Sequence, residues 1–491
     1  MNALYALVLA GGSGVRLWPV SRQLAPKQFI NLMGELTLFQ QTVKRMETRV
    51  SADRMVFVTS REHEGAIRDQ LRGYLGSGRA EKVVVVGEPA GRNTAPAVLL
   101  GARIVSRQNP DAVMLVAPSD HVILDSCAFA DAVDESMSAA ARGMIVTFGI
   151  KPTRPETGYG YIRIGDQAGK VFKVDRFEEK PDAARAEVLS SDRRYLWNSG
   201  IFLFSVRTIM EEARKHLPEL MDALDGIDPG DLAGLDECYG KLQAVSLDHG
   251  IMEKTDRAAV KPVSMGWSDL GSWDSYYEMN DKDMFGNVVT GDAVSLDNEG
   301  CLVAAGSRLL GVVGMKDTII VQTEDATLLC PRGRSQEVRR VVEHLAGTGR
   351  AESMIHPTVV RPWGEYTVLI DQGRYKVKRL TVAPGQKMSL QKHERRSEHW
   401  VMVSGEVAVV RGDENLLLKP NEGVTIPVGM LHRIENPGPE PAELVEVQLG
   451  EYVGEDDIVR YDDDYGRVKE SPKPKVQRGN LRPWNGEPEA R

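Results

Sequence analysis

The stretch Leu7-Val8-Leu9-Ala10-Gly11-Gly12-Ser13-Gly14-Val15-Arg16-Leu17-Trp18-Pro19 decides the fold of the first half of the chain. Its apolar start is long enough for one buried strand, which runs directly into glycines and then an arginine. Glycine lets backbone N–H groups approach an anion closely, and arginine is a forked donor that keeps its charge. The stretch therefore predicts a phosphate-binding loop after a first buried strand.

Two familiar glycine loops do not fit this stretch. A Walker loop ends on Gly-Lys-Ser/Thr, whereas Val15 and Arg16 follow Gly14 here. The dinucleotide-binding fingerprint needs a third glycine, which the continuation through Leu17 lacks. The remaining alternative for the glycines alone is a strand-to-helix turn that binds nothing. Arg16 and the later Lys27 argue against that alternative.

The composition limits the class of protein. A chain of 491 residues is too long for one ordinary core, so we expect two or three domains. Its 61 Lys and Arg against 70 Asp and Glu give a net charge of −9, which argues against nucleic-acid and membrane-surface partners. The four cysteines are scattered singly, and we find no signal peptide and no membrane-length apolar run. We expect a cytoplasmic enzyme.

The first part of the chain alternates buried-type strands with helical stretches up to about residue 284. This pattern predicts a doubly wound α/β sheet, in which ligands bind beyond the carboxyl ends of the strands. The clearest strands are Arg54–Thr59, Lys82–Val86 and Ala112–Ala117, and the clearest helices are Leu38–Val50, Ala95–Ser106 and Ala128–Arg142.

Several polar residues follow these strands. Asp120 can hold a magnesium ion or cap the next helix, and Asp269 is a second lone aspartate that can share that ion. Glu179 and Lys180 can hold sugar hydroxyls and a phosphate, or form a surface ion pair. Asn198 is a candidate sugar ligand or a turn residue.

Seven motifs in the first 280 residues or so carry a family resemblance. They are LAGGSGVRLWP, PKQ, PSDH, ETGYGYI, FEEKP, WNSGIF and WSDLGSW. In this order they resemble the sugar-nucleotide pyrophosphorylases, and most specifically the mannose-1-phosphate guanylyltransferases. The resemblance implies transfer of GMP from GTP to mannose-1-phosphate, with release of pyrophosphate.

The resemblance also implies roles for individual residues. The GTP triphosphate would be bound by Gly11, Gly12, Gly14, Arg16 and Lys27, and Mg²⁺ by Asp120 and Asp269. The mannose ring would be held by Gly158, Glu179 and Asn198, and its phosphate by Lys180. Because the attacking phosphate is already an anion, the cations Arg16, Lys27 and Lys180 would act catalytically by overcoming repulsion and aligning the substrates.

The segment after this domain shows no catalytic pattern. We expect domain 1–285, then a small β connector over 286–350 that is β-helix-like and suited to contacts in a homo-oligomer. An all-β domain would cover 351–470, and the Pro- and Arg-containing tail 471–491 would be disordered.

From His356 onwards, short strands at regular spacing predict an all-β sandwich or barrel. The spacing Gly385-x5-Gln391-x-His393-x4-Glu398-x6-Gly405, followed by Pro427-x-Gly429-x2-His432, resembles both motifs of the cupin barrel, with glutamine for the first histidine. Strand alternation puts Gln391 and His393 on one face. With Glu398 and His432 they offer four N/O donors, which suit Zn²⁺ or another divalent transition metal.

Parts of this domain are similar to the C-terminal domain of type II phosphomannose isomerases, namely Arg361–Gly364, Tyr375–Arg379 and Gln391–Trp400. The resemblance implies interconversion of fructose-6-phosphate and mannose-6-phosphate on a bound metal, with Arg396 and Arg433 holding charge or the sugar phosphate. Two alternatives stay open. The cupin domain can be structural or regulatory beside a guanylyltransferase, or the whole chain can be a sugar-nucleotide sensor.

Overall fold

The computed structural model describes residues 3–12, 14–225 and 232–462. The tail expected at 471–491 lies outside these residues. Within the described ranges, no helix is both long enough and apolar enough to span a membrane.

A nine-stranded sheet forms the centre of the first unit of the chain, Met1–His356. The opening strand forms because Leu4–Ala10 is an almost unbroken apolar run that the sheet buries on both faces. The strands up to residue 268 are β1 (Leu4–Ala10), β2 (Met55–Ser60), β3 (Val84–Glu88), β4 (Val113–Pro118), β5 (Val122–Ile123), β6 (Ile145–Ile150), β7 (Tyr161–Ala168), β8 (Val171–Glu178), β9 (Tyr195–Ser205), β10 (Ala258–Pro262) and β11 (Trp267–Ser268).

The sheet is mixed, with the order β3-β2-β1-β4-β9-β6-β10-β8-β7. Strands β1 to β4 are parallel, so the loops after them meet at one edge of the sheet. β9 runs antiparallel to both β4 and β6. The sheet is thus not parallel throughout, and β5 with β11 forms a separate two-stranded ladder.

Helices cover both faces of this sheet, which confirms the predicted α/β class. One apolar core includes α4, α7, α8 and α9, and a second core on the other face includes α1, α2 and α5. The helices are α1 (Leu38–Glu47), α2 (Glu64–Leu75), α3 (Ser77–Ala80), α4 (Thr94–Gln108), α5 (Ser126–Ala141), α6 (Ala183–Ser191), α7 (Val206–His216), α8 (Pro218–Asp225), α9 (Leu232–Lys241), α10 (Trp273–Met279) and α11 (Val338–Gly347).

The connector consists of short strands within the same unit, paired in parallel except for β17, which is antiparallel to β16. β12, β14 and β16 pair in parallel, as do β13 and β15. A third apolar cluster joins the connector to the start of the chain, since it contains Leu17 and Trp18 beside Leu302 and Ile319. The strands are β12 (Val288–Thr290), β13 (Ala293–Leu296), β14 (Leu302–Ala304), β15 (Leu310–Val313), β16 (Thr318–Gln322) and β17 (Thr327–Pro331).

The second unit begins at Pro357 and is all-β in its described part, as predicted for a cupin-type domain. A six-stranded sheet and a five-stranded sheet enclose one core, which includes Trp363, Trp400 and Ile434. The strands are β18 (Thr358–Arg361), β19 (Gly364–Asp371), β20 (Tyr375–Val382), β21 (Leu390–His393), β22 (Arg396–Ser404), β23 (Val407–Arg411), β24 (Glu414–Leu418), β25 (Gly423–Ile426), β26 (His432–Glu435), β27 (Ala442–Gly450) and β28 (Ile458–Asp462).

Candidate functional site

The loop after β1 has the geometry that its glycines predict. Gly12 and Gly14 adopt φ values of +91° and +59°, in the left-handed region that favours glycine. A Cβ on Gly14 would lie 2.6 Å from the Cγ atom of Lys27, so glycine is needed there for space as well. A Cβ on Gly11 would have no atom of the described residues within 4 Å, so the surface at Gly11 is open to a ligand.

Lys27 connects the two aspartates that were predicted to share a metal. Its Nζ atom lies 2.9 Å from Oδ2 of Asp120 and donates a 2.7 Å hydrogen bond to the backbone oxygen of Asp269. Burial raises the pKa of the Asp120 carboxyl, but the charges of Lys27 and His121 lower it by more, so its pKa lies below the usual range. Asp120 is therefore ionised at neutral pH.

Asp269 and Arg16 lie beside each other next to Lys27 and Asp120. Oδ1 of Asp269 accepts hydrogen bonds from the Tyr159 hydroxyl at 2.6 Å and from the Gly271 amide at 3.0 Å. A Cβ on Gly271 would lie 2.5 Å from Oδ2 of Asp269 and 3.2 Å from Nη2 of Arg16. The Arg16 guanidinium thus adjoins the Asp269 carboxylate across Gly271.

A cavity of about 200 Å³ opens beside this cluster. Asn198 lies in its wall, where Oδ1 accepts from Thr147 at 2.8 Å and Nδ2 donates to Asp248 at 2.8 Å. Burial, followed by the charge of Glu179, raises the pKa of the Asp248 carboxyl to about 6. The predicted site residues that line this cavity are Gly158, Glu179, Lys180, Asn198 and Asp269.

Glu179 has an incomplete hydrogen-bond set in this cavity. Its side chain is 6% exposed and pairs with Lys180, yet Oε2 has no hydrogen-bond partner among the described residues. A buried carboxylate oxygen without a donor is costly, so a ligand that supplies a hydroxyl donor would be favoured at this position.

In the second unit, three predicted metal ligands converge from three strands. His393 ends β21, Glu398 lies on β22 and His432 begins β26. One ligand atom from each of the three lies within 4.8 Å of the others. His393 Nε2 is 3.0 Å from Glu398 Oε1, and His432 Nε2 is 3.6 Å from Glu398 Oε2.

The electrostatics of this cluster favour a cation. Burial raises the pKa of Glu398, but the hydrogen bond from His393 and the charges of His432 and Arg396 lower it by more. Burial lowers the pKa of His432, which favours the neutral imidazole that binds metals. His432 Nε2 has no hydrogen-bond partner in the described chain, so the donor set fits a divalent transition metal.

Two further predicted residues, Gln391 and Arg396, lie beside the three metal ligands. Gln391 is 6% exposed, faces His432 across the β21–β26 pair and accepts a 3.0 Å hydrogen bond from Ser389. Arg396 is buried and donates a 3.1 Å hydrogen bond to Glu398. Both line a cavity of about 50 Å³.

Arg433 is not brought to this cavity. It follows the inward-facing His432 on β26, so strand alternation turns it to the other face, where it donates to Asp462 at 3.0 Å. The cations that line the cavity are Arg361, Lys378, Arg396 and Arg460.

Three family models match consecutive parts of the chain. "Nucleotidyl transferase" matches residues 5–284, "MannoseP isomerase/GMP-like beta-helix domain" matches 291–345, and "Mannose-6-phosphate isomerase C-terminal" matches 348–463. The chain is 45% identical over 475 residues to the Xanthan biosynthesis protein XanB of Xanthomonas campestris, covering 95% of this chain and 100% of that protein. It is 43% identical over 481 residues to a mannose-1-phosphate guanylyltransferase of Escherichia coli, covering 95% and 99%. The chain belongs to the mannose-1-phosphate guanylyltransferase family.

A solved structure has a fold similar to that of most of this chain. The crystal structure described as mannose-1-phosphate geranyltransferase from Thermus thermophilus matches with a TM-score of 0.63 and 36% identity. It covers 70% of this chain and 99% of the other.

Sequence reasoning missed several residues of both sites. Tyr159 lies inside the quoted ETGYGYI motif, so the motif itself was the signal for it. Asp248 begins a π-helical turn, Asp248–Met252, and no pattern in the sequence indicates that it reaches Asn198. In the second unit, Glu446 and Gln448 line the cavity from β27, and burial together with the charge of Glu398 raises the pKa of Glu446 to about 8.

Proposed function

We propose that the first unit transfers GMP from GTP to mannose-1-phosphate, giving GDP-mannose and pyrophosphate. The observation that carries this proposal is the position of Lys27, which joins Asp120 to Asp269 beside a cavity lined by Glu179, Lys180 and Asn198. Such an arrangement can hold a triphosphate and a sugar phosphate together.

The reaction is an in-line displacement at phosphorus. A phosphate oxygen of mannose-1-phosphate attacks the α-phosphorus of GTP, the bond from that phosphorus to the bridging oxygen breaks, and pyrophosphate leaves. Backbone N–H groups at Gly11, Gly12 and Gly14 bind the triphosphate, because Gly12 and Gly14 are left-handed and the surface at Gly11 is open to an anion. Arg16 and Lys27 offset the negative charge that the two substrates bring together.

Asp120 and Asp269 fit a Mg²⁺ ion, which prefers a few carboxylates and completes its shell with phosphate oxygens. When bound, the ion would neutralise charge on the phosphates. Glu179 and Asn198, with the backbone of Gly158, would hold the mannose ring, and Lys180 would hold its phosphate.

Matched lysine variants test the sugar-phosphate site. Lys180→Ala is expected to raise the KM for mannose-1-phosphate at least about tenfold in a pyrophosphate-release assay, since a charge-assisted contact is lost. Lys173→Ala, an exposed lysine on the neighbouring strand β8, should leave the KM unchanged. Equal KM values for the two variants would remove Lys180 from the site.

We also propose that the second unit interconverts fructose-6-phosphate and mannose-6-phosphate. The supporting observation is the convergence of His393, Glu398 and His432, with Gln391 beside them, on a site that fits Zn²⁺ or another divalent transition metal. When bound, that metal would polarise the sugar carbonyl. Arg396 would keep Glu398 ionised and oriented through its buried hydrogen bond.

One observation favours the second candidate, a structural or regulatory cupin domain. The cavity next to the ligand cluster is about 50 Å³, a quarter of the cavity in the first unit. A coupled assay with fructose-6-phosphate and metal-loaded protein separates the two. Isomerase activity that is lost in His432→Ala and retained in His399→Ala supports the isomerase, since His399 is a half-buried histidine bonded to Thr425 outside the ligand cluster. No activity with metal bound supports the structural role.

A further inference from the structure

A turn of the connector contacts the phosphate-binding loop directly. Nη1 of Arg16 donates a 2.6 Å hydrogen bond to Oε1 of Gln336. Within the described chain, Gln336 is the one hydrogen-bond partner of the Arg16 side chain. The two residues are 320 positions apart, so the contact depends on how the connector packs in this unit.

The turn that carries Gln336 is itself fixed to the loop of Asp269. Asp274, in the first turn of α10, accepts hydrogen bonds from the Gly333 amide at 2.8 Å, the Ser335 amide at 3.3 Å and the Ser335 hydroxyl. Four residues separate Asp274 from Asp269. Hydrogen bonds therefore link the connector turn to the Arg16 loop through Gln336 and to the segment after Asp269 through Asp274.

The chemistry of the contact suits a group that must remain available to an anion. The glutamine oxygen is a neutral acceptor, so it orients the guanidinium without neutralising its charge. Gln336 is exposed, so its hydrogen bond to Arg16 forms in competition with water and contributes little to the stability of the fold. Its effect on the position of Arg16 can thus be separated from its effect on folding.

We propose that Gln336 is a positioning residue for GMP transfer, and that through it the connector is part of the guanylyltransferase site. This inference rests on the proposed function of the first unit. Gln336 holds one nitrogen of Arg16, which leaves the guanidinium beside Asp269, where the triphosphate is proposed to bind. Without the glutamine, Arg16 samples other rotamers and meets the substrate in the reactive geometry less often.

A double-mutant cycle in the full-length protein tests the inference, with initial rates of pyrophosphate release as the readout. Gln336→Ala is expected to lower kcat about fivefold to twentyfold while the melting temperature stays within about 1 °C. In an Arg16→Ala background, the same substitution should change kcat less than about twofold, because the group it positions is gone. Glu337→Gln is the control, since Glu337 pairs with Arg334 and Arg340 in the same turn.

A charged variant gives a second readout that a structural role would not produce. Gln336→Glu should form an ion pair with Arg16 that competes with the triphosphate, so the KM for GTP rises at low salt and recovers at about 0.5 M salt. Equal losses from Gln336→Ala with and without Arg16, or an unchanged kcat in Gln336→Ala, overturn the inference while leaving the proposed function intact. A wild-type protein that makes no GDP-mannose overturns both.

Discussion

Single residues in and beside the loop after β1 are constrained by space and by charge. Gly14 must be glycine because its φ is positive and Lys27 occupies the place of a side chain. Lys27 is 7% exposed and interacts with both Asp120 and Asp269. A bound triphosphate would compete with the two aspartates for this lysine. The Lys27 ammonium could then contact a phosphate oxygen instead.

Arg16→Ala should lower GDP-mannose synthesis about 100-fold, since one preorganised cationic donor is removed from the phosphates. The side chain is only partly buried and makes one hydrogen bond in the described chain, so circular dichroism and the melting temperature should not change. The measurement is kcat/KM for GTP on protein shown to be folded. Near-normal synthesis by the folded variant would remove Arg16 from the catalytic set.

Asp248→Asn should change the pH dependence of stability. The pKa of Asp248 in the folded protein, about 6, lies above the usual value of 3.8. Ionisation is therefore less favourable in the folded state than in the unfolded state, and the free energy of unfolding falls as pH rises from about 4 through 6. The asparagine variant avoids this cost of up to about 3 kcal/mol and keeps an oxygen for Asn198. Its melting temperature should exceed wild type at pH 8, with the difference vanishing near pH 4.

Asp256→Asn, at an exposed position, is the control for that comparison. A difference between Asp248→Asn and wild type that is the same at pH 4 and pH 8 would show that ionisation of this carboxyl is not the cause.

At the residue scale, the sequence motifs predicted which of their own residues line the cavity, but not which residues distant in sequence contact them. Glu179, Asn198 and Lys180 line one cavity as their motifs suggested, but Asp248 comes from a turn with no recognisable pattern. Arg433 was predicted to hold charge or the sugar phosphate, but it does not line the cavity beside the metal-ligand cluster. Neighbours on a strand face opposite sides, so Arg433 lies on the other face of β26 from His432 and bonds to Asp462.

At the scale of elements, the connector supports the loop that follows β1. Arg22 is fully buried, donates to the carbonyl of Pro19 at 2.8 Å and pairs with Asp325 of the connector at 2.7 Å. Trp273 of α10 donates to the carbonyl of Trp18 at 2.9 Å. The segment from Gly14 to Arg22 is therefore held from outside the nucleotidyl transferase sheet.

Asp325→Ala should lower the free energy of unfolding of the first unit by about 3 kcal/mol, because it leaves the buried Arg22 charge without its carboxylate. The expected readout is a lower denaturant midpoint together with reduced GDP-mannose synthesis. Asp317→Asn removes the charge of a mostly exposed partner of Arg332, keeps a residue type that tolerates the left-handed backbone there, and should cost less than about 1 kcal/mol. Similar losses in the two variants would contradict a special role for the buried pair.

The alternation of strands and helices was predictable because buried parallel strands and amphipathic helices have distinct periods. The path of β9 was not. One of the two interpretations of Asn198 in the WNSGIF motif was a turn residue, whereas the structure extends a strand through Tyr195–Ser205. A glycine and two polar residues weaken strand propensity locally, and pairing with β4, β6 and β7 overrides it.

At the scale of the whole molecule, each of the two units carries a candidate metal site, and the two sites differ in the chemistry of their ligand groups. The first unit offers carboxylates and cations, and the second offers imidazole, carboxylate and amide groups. Oxygen-only sites suit Mg²⁺, whereas mixed nitrogen and oxygen sites suit transition metals. The expected homo-oligomer stays a prediction.

A chelator selective for transition metals should therefore abolish interconversion of fructose-6-phosphate and mannose-6-phosphate and spare GDP-mannose synthesis in excess Mg²⁺. Added Zn²⁺ or Co²⁺ should restore the first activity. Parallel assays on one preparation make the comparison. If both activities fell together and both returned with Zn²⁺, the assignment of one metal class to each unit would be wrong.

The most direct test of the central claim is product analysis with purified protein, Mg²⁺, GTP and mannose-1-phosphate. The account predicts GDP-mannose and pyrophosphate in equal amounts, formed continuously and much faster than from glucose-1-phosphate or from ATP or UTP. Substrate binding without steady pyrophosphate release, or a preference for another nucleotide and sugar phosphate, would contradict it.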